Sequence, residues 1–230
     1  MVGALARSGP SMALESQNPW GARDLDLDAG ALRLSTAYLK RLLDVVGAVF
    51  GIVLLSPFLA LVCVIIVLES PGNPVFMQRR SGYRGAPFVI YKFRSMSVRE
   101  DGQNIVQAVR DDARITNFGR LMRRTSIDEL PQLLNVLFGH MSLVGPRPHA
   151  LAHDEYYGAV VPGYAARFHA KPGITGLAQV SGLRGQTHTI DDMAARVEKD
   201  LEYIRCWSIV SDIKILLLTV FTFLFQPAAY

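Results

Sequence analysis

Cysteine is almost absent: Cys63 and Cys206 are the two in 230 residues, one inside an apolar run and the other beside Trp207. That scarcity excludes a disulfide framework and a cysteine-rich zinc site. The histidines, His140, His149, His153, His169 and His188, are scattered, and surface or structural roles suit each. A continuous apolar core is missing from the first twenty residues, so a secretory signal peptide is not expected. Residues 1–34 instead mix Gly, Ser, Pro and Asn with Asp24, Asp26 and Asp28 and read as a mobile tail. Charged residues make up 19% of the chain against 50% hydrophobic, and the mean hydropathy is +0.22. A chain of this length fits one domain with appendages and a real core, and the balance implies contact with lipid.

What charge there is leans basic, with a net +4 and a pI near 9.2. Nucleic acid, anionic lipid heads and phosphorylated substrates all suit such a balance, and only its distribution decides among them. Acidic residues are missing between Glu69 and Glu100, an interval that carries Arg79, Arg80, Arg84, Lys92, Arg94 and Arg99. These cations lie beside a membrane-like segment, and no nucleic-acid reading motif accompanies them. No nucleic-acid partner is therefore expected.

Charge is missing altogether from residues 45–68, a run of about the length that crosses a hydrocarbon layer roughly 30 Å thick as one helix. Pro57 sits in its middle, where it removes a backbone donor and clashes with the preceding turn. Arg33, Lys40 and Arg41 before the run, and Arg79 and Arg80 after it, pull both ends toward the cytoplasmic side. A helix that breaks at Ser56-Pro57 and returns to its own side meets both conditions. The Ser56 hydroxyl can then bond a carbonyl freed by the proline. A kinked spanning helix is the alternative.

Past Ser70-Pro71-Gly72, residues 75–78 and 88–93 read as short strands about a glycine turn at 82–85. Lys92 and Arg94, two apart on one strand face, can grip a phosphate together. Residues 100–113 are polar and loop-like. Residues 114–124 place Ile115, Phe118, Leu121 and Met122 at helical spacing, and deliver Arg123 and Arg124 just ahead of an acidic pair. Those arginines are either ion-pair partners of the carboxylates or part of a phosphate site.

The acidic pair, Asp128-Glu129, lies in RRTSIDELPQLLNVLFGHMSLVGPRP. An apolar helix with Leu133, Leu134, Val136, Leu137 and Phe138 follows, closed by a Gly-Pro-Arg-Pro turn. Ser126 and Glu129 have the capping-box spacing, while Asp128 as N-cap would set Pro131 in the first turn. Either register puts both carboxylates at the positive end of the helix dipole, which favours the ionised state of a nucleophile or metal ligand. Plain helix capping accounts for the same pattern. Beyond Pro148 the chain is glycine-rich with no long periodic run, the kind of stretch that carries function. A helix returns over 191–206 with Met193, Val197, Leu201 and Ile204 on one face. The last apolar run, 215–225, is too short to span and should lie at the interface or pack on the domain.

Four blocks in order, KRLLDVVGAVFGIVLLSPF, PVFMQRRSGYRGAPFVIYKFRSM, SIDELPQLLNVLFGHMSLVGPRP and KPGITGLAQVSG, resemble the bacterial sugar transferases, the monotopic phosphoglycosyl transferases, over residues 40–225. The later GLRGQT and VEKDLEYIRCWSIVSDIKILLLTVF look most like members that transfer glucose 1-phosphate or galactose 1-phosphate to start an exopolysaccharide repeat. With no large membrane domain ahead of it, the chain looks like a minimal catalytic form.

The resemblance implies a mixed α/β, mainly helical fold in a monotopic membrane protein. After the tail at 1–34, a re-entrant membrane helix-break-helix occupies 35–70, with Ser56-Pro57 as the break. A cytoplasmic-face catalytic domain follows over 71–230, with a small β-hairpin and interfacial amphipathic helices around the active site. The implied reaction moves a phosphosugar from a UDP-sugar to polyprenyl (undecaprenyl) phosphate at the cytoplasmic face of the bacterial inner membrane, releasing UMP. Asp128 is implied as the nucleophile that forms a covalent phosphosugar enzyme, and Glu129 as the residue associated with magnesium, with Asp128 beside it. Lys92, Arg123 and Arg147 are implied in phosphate handling, and Arg94, Gln179 and Arg184 complete the candidate substrate contacts. Membrane lipids are expected partners, and a homo-oligomer is left open.

The chemistry agrees with the residues. A carboxylate can attack a phosphorus ringed by negative oxygens only when cations and a divalent metal neutralise them. One or two carboxylates with substrate oxygens suit magnesium. A lipid-phosphate hydrolase that passes the same intermediate to water, and a non-catalytic protein docked on anionic lipid, are the competing functions.

Overall fold

A computed structural model describes residues 22–97, 112–185, 187 and 189–225. Helices α1 (Ala22–Thr36) and α2 (Tyr38–Glu69) lead into the antiparallel hairpin of β1 (Val75–Ser81) and β2 (Pro87–Phe93). Next come α3 (Asn117–Thr125), a 3₁₀ turn at Ile127–Glu129, α4 (Gln132–Leu137) and β3 (Ser142–Val144). The chain continues through α5 (Leu151–Val160), a 3₁₀ segment at Tyr164–His169, β4 (Gly173–Thr175), α6 (Leu177–Val180), α7 (Ile190–Arg205) and α8 (Ile209–Phe225). β3 and β4 pair in parallel. The described residues are thus mostly helical, with a small hairpin and one long apolar helix suited to membrane association.

The expected stripe of α7 is the centre of one core: Met193, Val197, Leu201 and Ile204 are buried with Tyr164 and Ile215. A capping box between Thr189 and Asp192 starts this helix. Two further cores rest on α2. Its first half supplies Ala48 to a cluster with Ile90, Leu133, Val136 and Met141, and its second half supplies Val62 and Ile66 to one with Phe93 and Met122. Between these anchors the apolar side chains Phe50, Val53, Leu54, Phe58 and Leu61 are exposed, a surface that lipid rather than water should cover.

Both ends of α2 are tied to the same domain. At its start, Arg41 donates from Nη1 to the Val136 carbonyl at 2.7 Å and from Nη2 to the Leu137 carbonyl at 2.9 Å, satisfying the open C-terminal carbonyls of α4. At its end, the Glu69 carboxylate accepts the Phe118 amide at 2.9 Å. The sequence led us to expect a break at Pro57, yet the backbone stays helical through it. A local repair accompanies this. Ser56 Oγ donates to the Val53 carbonyl at 2.9 Å, the group that the missing Pro57 amide leaves without its partner four residues on.

Lys40 is not the exposed flanking charge its position suggested. Its Nζ lies 2.7 Å from Asp212 Oδ2 and 3.7 Å from Asp44 Oδ1, and donates to the Val144 carbonyl at 2.9 Å. Tyr203 Oη donates to Asp212 Oδ1 at 2.8 Å, and Ser142 Oγ donates to Asp44 Oδ1 at 2.9 Å. All of these groups are buried, so removing Lys40 takes the ion-pair partner from two carboxylates. Lys40→Met should cost about 3–5 kcal/mol of stability, read as a lower thermal unfolding midpoint in detergent. An unchanged midpoint would show that the network contributes nothing net.

Two further expectations change. Residues 22–34, expected in the tail, lie within α1, where Leu27 is buried in the α7 core. The backbones meet closely there: a Cβ on Gly30 would fall 2.2 Å from the Ile204 carbonyl oxygen. The glycine-rich stretch after Pro148 contains α5 and β4. α5 buries none of its residues fully, so it has no apolar stripe to reveal it, and β4 exists only by pairing with β3. Residues 1–21, most of the expected 100–113 loop, and His188 lie outside the described residues.

Candidate active site

The acidic pair sits in the 3₁₀ turn at Ile127–Glu129, and neither expected capping register forms. Ser126 adopts a left-handed conformation with φ 51°, and α4 starts after Pro131 with no side-chain cap. A non-glycine residue at that φ carries strain on the order of 1 kcal/mol or more. The chain turns sharply there, between α3 and the pair.

Glu129 is buried, 8% exposed, and held by two cations. Lys92 Nζ donates to its Oε1 at 2.8 Å, while Arg147 donates from Nη1 to Oε2 at 3.0 Å and from Nη2 to Oε1 at 2.5 Å. This two-pronged contact fixes the carboxylate plane as a point charge cannot. Burial alone would push the Glu129 carboxyl up, but Arg147 and Lys92 outweigh it and hold it well below the usual carboxylate range.

Asp128 differs. It is half-buried and makes no hydrogen bond or ion pair with any described residue. Burial, then the adjacent Glu129 charge, pushes its carboxyl up to about 6 against the pull of Lys92, Arg123 and Arg147. The dipole argument favoured ionisation of both acids. A short 3₁₀ turn beside an ionised neighbour does not supply that for Asp128.

Each cation reaches the site for a structural reason. Asn135 of α4 stitches that helix to β2: its Oδ1 accepts the Tyr91 amide at 2.9 Å and its Nδ2 donates to the Val89 carbonyl at 2.6 Å. Lys92, next in the strand, is thereby set against the turn that bears Glu129. Arg147 is held from behind, where Arg167 Nη2 donates to the Arg147 carbonyl at 2.7 Å. Arg167 is itself paired with buried Asp200 at 2.7 Å. Sequence reasoning missed Asn135, Arg167 and Asp200. A single polar residue inside LLNVLF was the available sign for Asn135; the other two carried none.

The remaining candidates divide. Arg123 adds its charge near Asp128 and lies 3.7 Å from Met96 Sδ. Gln179 and Arg184 line a cavity of about 110 Å³ together with Glu129. Arg94 does not join them. It lies just past the end of β2, is buried, and donates to the Pro71 carbonyl at 2.9 Å and to the Ser70 carbonyl. The backbone approaches it closely at Gly72 (φ 121°), where a Cβ would fall 2.6 Å from Nη1. The strand alternation that should have paired Arg94 with Lys92 ends at Phe93, and carbonyls beyond α2 claim the guanidinium instead. Ser56 and Pro57 are exposed on α2.

Among the described residues no three His, Cys, Asp or Glu side chains cluster as a closed metal site. Magnesium does not need one, being bound by one or two carboxylates plus substrate oxygens. Among the described residues Glu129 Oε2 accepts a single hydrogen bond and Asp128 accepts none, so the donor set fits that ion.

One carboxylate gripped by two cations beside a second that no described residue engages, on a domain with an exposed apolar helix, is an arrangement suited to phosphoryl transfer at a membrane. The chain belongs to the bacterial sugar transferase family, which it matches over residues 35–226. It is 51% identical over 222 residues to the UDP-glucose:undecaprenyl-phosphate glucose-1-phosphate transferase of Caulobacter vibrioides, a match covering 96% of this chain and 80% of that one. A protein of the same name from Escherichia coli (strain K12) is 51% identical over 192 residues, 84% of this chain and 41% of its own length. The exopolysaccharide production protein PSS of Rhizobium leguminosarum bv. phaseoli is 46% identical over 186 residues, 79% of this chain and 93% of that one.

Proposed function

We propose that this chain transfers glucose 1-phosphate from UDP-glucose to undecaprenyl phosphate, the first membrane step in building an exopolysaccharide. The observation that carries the reading is the acidic pair itself: Glu129 neutralised by Lys92 and Arg147, with Asp128 beside it unengaged by any described residue. Asp128 attacks the sugar-linked phosphorus of UDP-glucose. An Oδ–P bond forms, the bond from that phosphorus to the bridging oxygen breaks, and UMP leaves with the oxygen. An oxygen of undecaprenyl phosphate then attacks the same phosphorus, releasing the Asp128 carboxylate and giving undecaprenyl diphosphate glucose. Lys92, Arg123 and Arg147 lower the repulsion that an anionic phosphorus centre presents to a carboxylate. Magnesium held by Glu129, with Asp128 beside it, would supply further charge neutralisation at the donor phosphates.

The test is UMP release with undecaprenyl phosphate, magnesium and a panel of UDP-sugars. UDP-glucose should be turned over fastest, and no release from any UDP-sugar would overturn the reading. Without the acceptor, UMP release should stop at one equivalent per enzyme. Continued formation of free glucose 1-phosphate would indicate a hydrolase.

The same reading places the chain on the cytoplasmic face of the bacterial inner membrane, with α2 entering the bilayer and returning. Both ends of α2 are bound to one domain, whereas crossing would carry one end roughly 30 Å away. With Cys63 and Cys206 replaced by serine, single cysteines at Ala37 and Ser81 should both resist a membrane-impermeant thiol reagent in intact cells. Labelling at Ala37 alone would show that the segment spans.

A further inference from the structure

The cavity beside Glu129 joins polar and apolar groups. Ser126, Glu129, Gln179 and Arg184 line it together with Leu130, Ile174, Val180 and Thr175, and with Thr219 and Thr222 of α8. The threonine hydroxyls are already used within the protein. Thr222 Oγ1 donates to the Leu218 carbonyl at 2.8 Å, Thr219 Oγ1 donates to the Ile215 carbonyl at 2.7 Å, and the Thr175 and Thr219 hydroxyls lie 2.7 Å apart. What these residues offer a ligand is mainly methyl surface. Thr219 and Thr222 belong to α8, whose Leu217, Leu218, Val220 and Phe221 are exposed.

We infer that this cavity receives the first isoprene unit of the polyprenyl phosphate acceptor, with α8 as the rail that guides it from the lipid to the acidic pair. The inference rests on the proposed transfer reaction. An isoprenyl phosphate is apolar along its chain and anionic at its end, and this lining offers both an apolar surface, from Leu130, Ile174, Val180 and the threonine methyls, and a cation, Arg184. A sugar ring would find the Thr175, Thr219 and Thr222 hydroxyls already bonded within the protein. The volume, about 110 Å³, suits a five-carbon unit.

Thr222→Phe fills the cavity, and Thr222→Ala removes its methyl contact in a milder way. Both would be compared with the parent protein in lipid nanodiscs by two readouts: the single-turnover UMP burst with UDP-glucose alone, and the KM for undecaprenyl phosphate in steady state. We expect Thr222→Phe to raise that KM about tenfold or more while the burst rate stays within about twofold of the parent. Thr222→Ala should raise the same KM by a smaller factor. A retained burst also reports that the variant is folded. If the burst falls as much as the transfer, the cavity belongs to the donor sugar; if neither changes in either variant, it holds no substrate. Both results overturn the inference. Failure of the parent protein itself to release UMP would instead refute the transfer reaction.

Discussion

Asp128→Asn should abolish turnover, lowering UMP release by a factor on the order of 10⁴ or more, as expected when a group that forms a covalent bond is removed. Successive residues of a 3₁₀ turn point about 120° apart, so Asp128 and Glu129 do not approach one phosphorus from the same direction. Glu129 is locked by Lys92 and Arg147, while Asp128 has no partner among the described residues to give up before attack. Its shorter side chain also has less freedom to lose in an in-line approach. Glu129→Gln should behave differently, slowing both half-reactions and weakening the response to magnesium. Enzyme incubated with UDP-glucose alone, quenched and analysed by peptide mass spectrometry should carry a phosphosugar on the peptide containing residues 126–130. That adduct should vanish in Asp128→Asn. An adduct on Glu129 would reverse the two roles, and rapid turnover with no adduct under any trapping condition would favour direct attack by the polyprenyl phosphate. Unchanged turnover in Asp128→Asn would leave a lipid-docking protein without this chemistry.

Arg147→Lys should lower kcat by about 10²-fold, the scale on which losing one aimed donor slows an electrostatically stabilised reaction. Two nitrogens of Arg147 meet the two oxygens of Glu129, and a lysine can reach only one of them. The position is rigid for reasons on both sides of the chain: prolines flank Arg147, and Arg167 holds its carbonyl. Lys92 remains in the variant, so Glu129 stays charged but loses its fixed plane. Steady-state UMP release measures the effect, and near-normal turnover would reduce Arg147 to a structural ion pair.

The chemistry of this protein could be read locally. Adjacent Asp128-Glu129, the uncharged run over 45–68, the strands about 82–85 and the apolar stripe of α7 are patterns within a few residues, governed by side-chain period and charge. They determined the presence of a membrane-associating helix, a hairpin and an anionic centre with cations nearby. Which cation does what could not be read in that way. Lys92 reaches Glu129 across 37 residues and Arg147 does so across 18, distances closed only when Asn135 registers α4 on β2 and Arg167 props the Pro-Arg-Pro turn. Arg94, two residues from Lys92, is drawn instead to the Ser70 and Pro71 carbonyls, and Lys40 and Arg41 are taken into the fold by Asp212 and by the end of α4. A long cation has the same sequence signature whether it meets a substrate, a lipid or an unpaired carbonyl. Buried acceptors must be satisfied, and the tertiary structure decides which cations they claim and which it leaves beside the acidic pair.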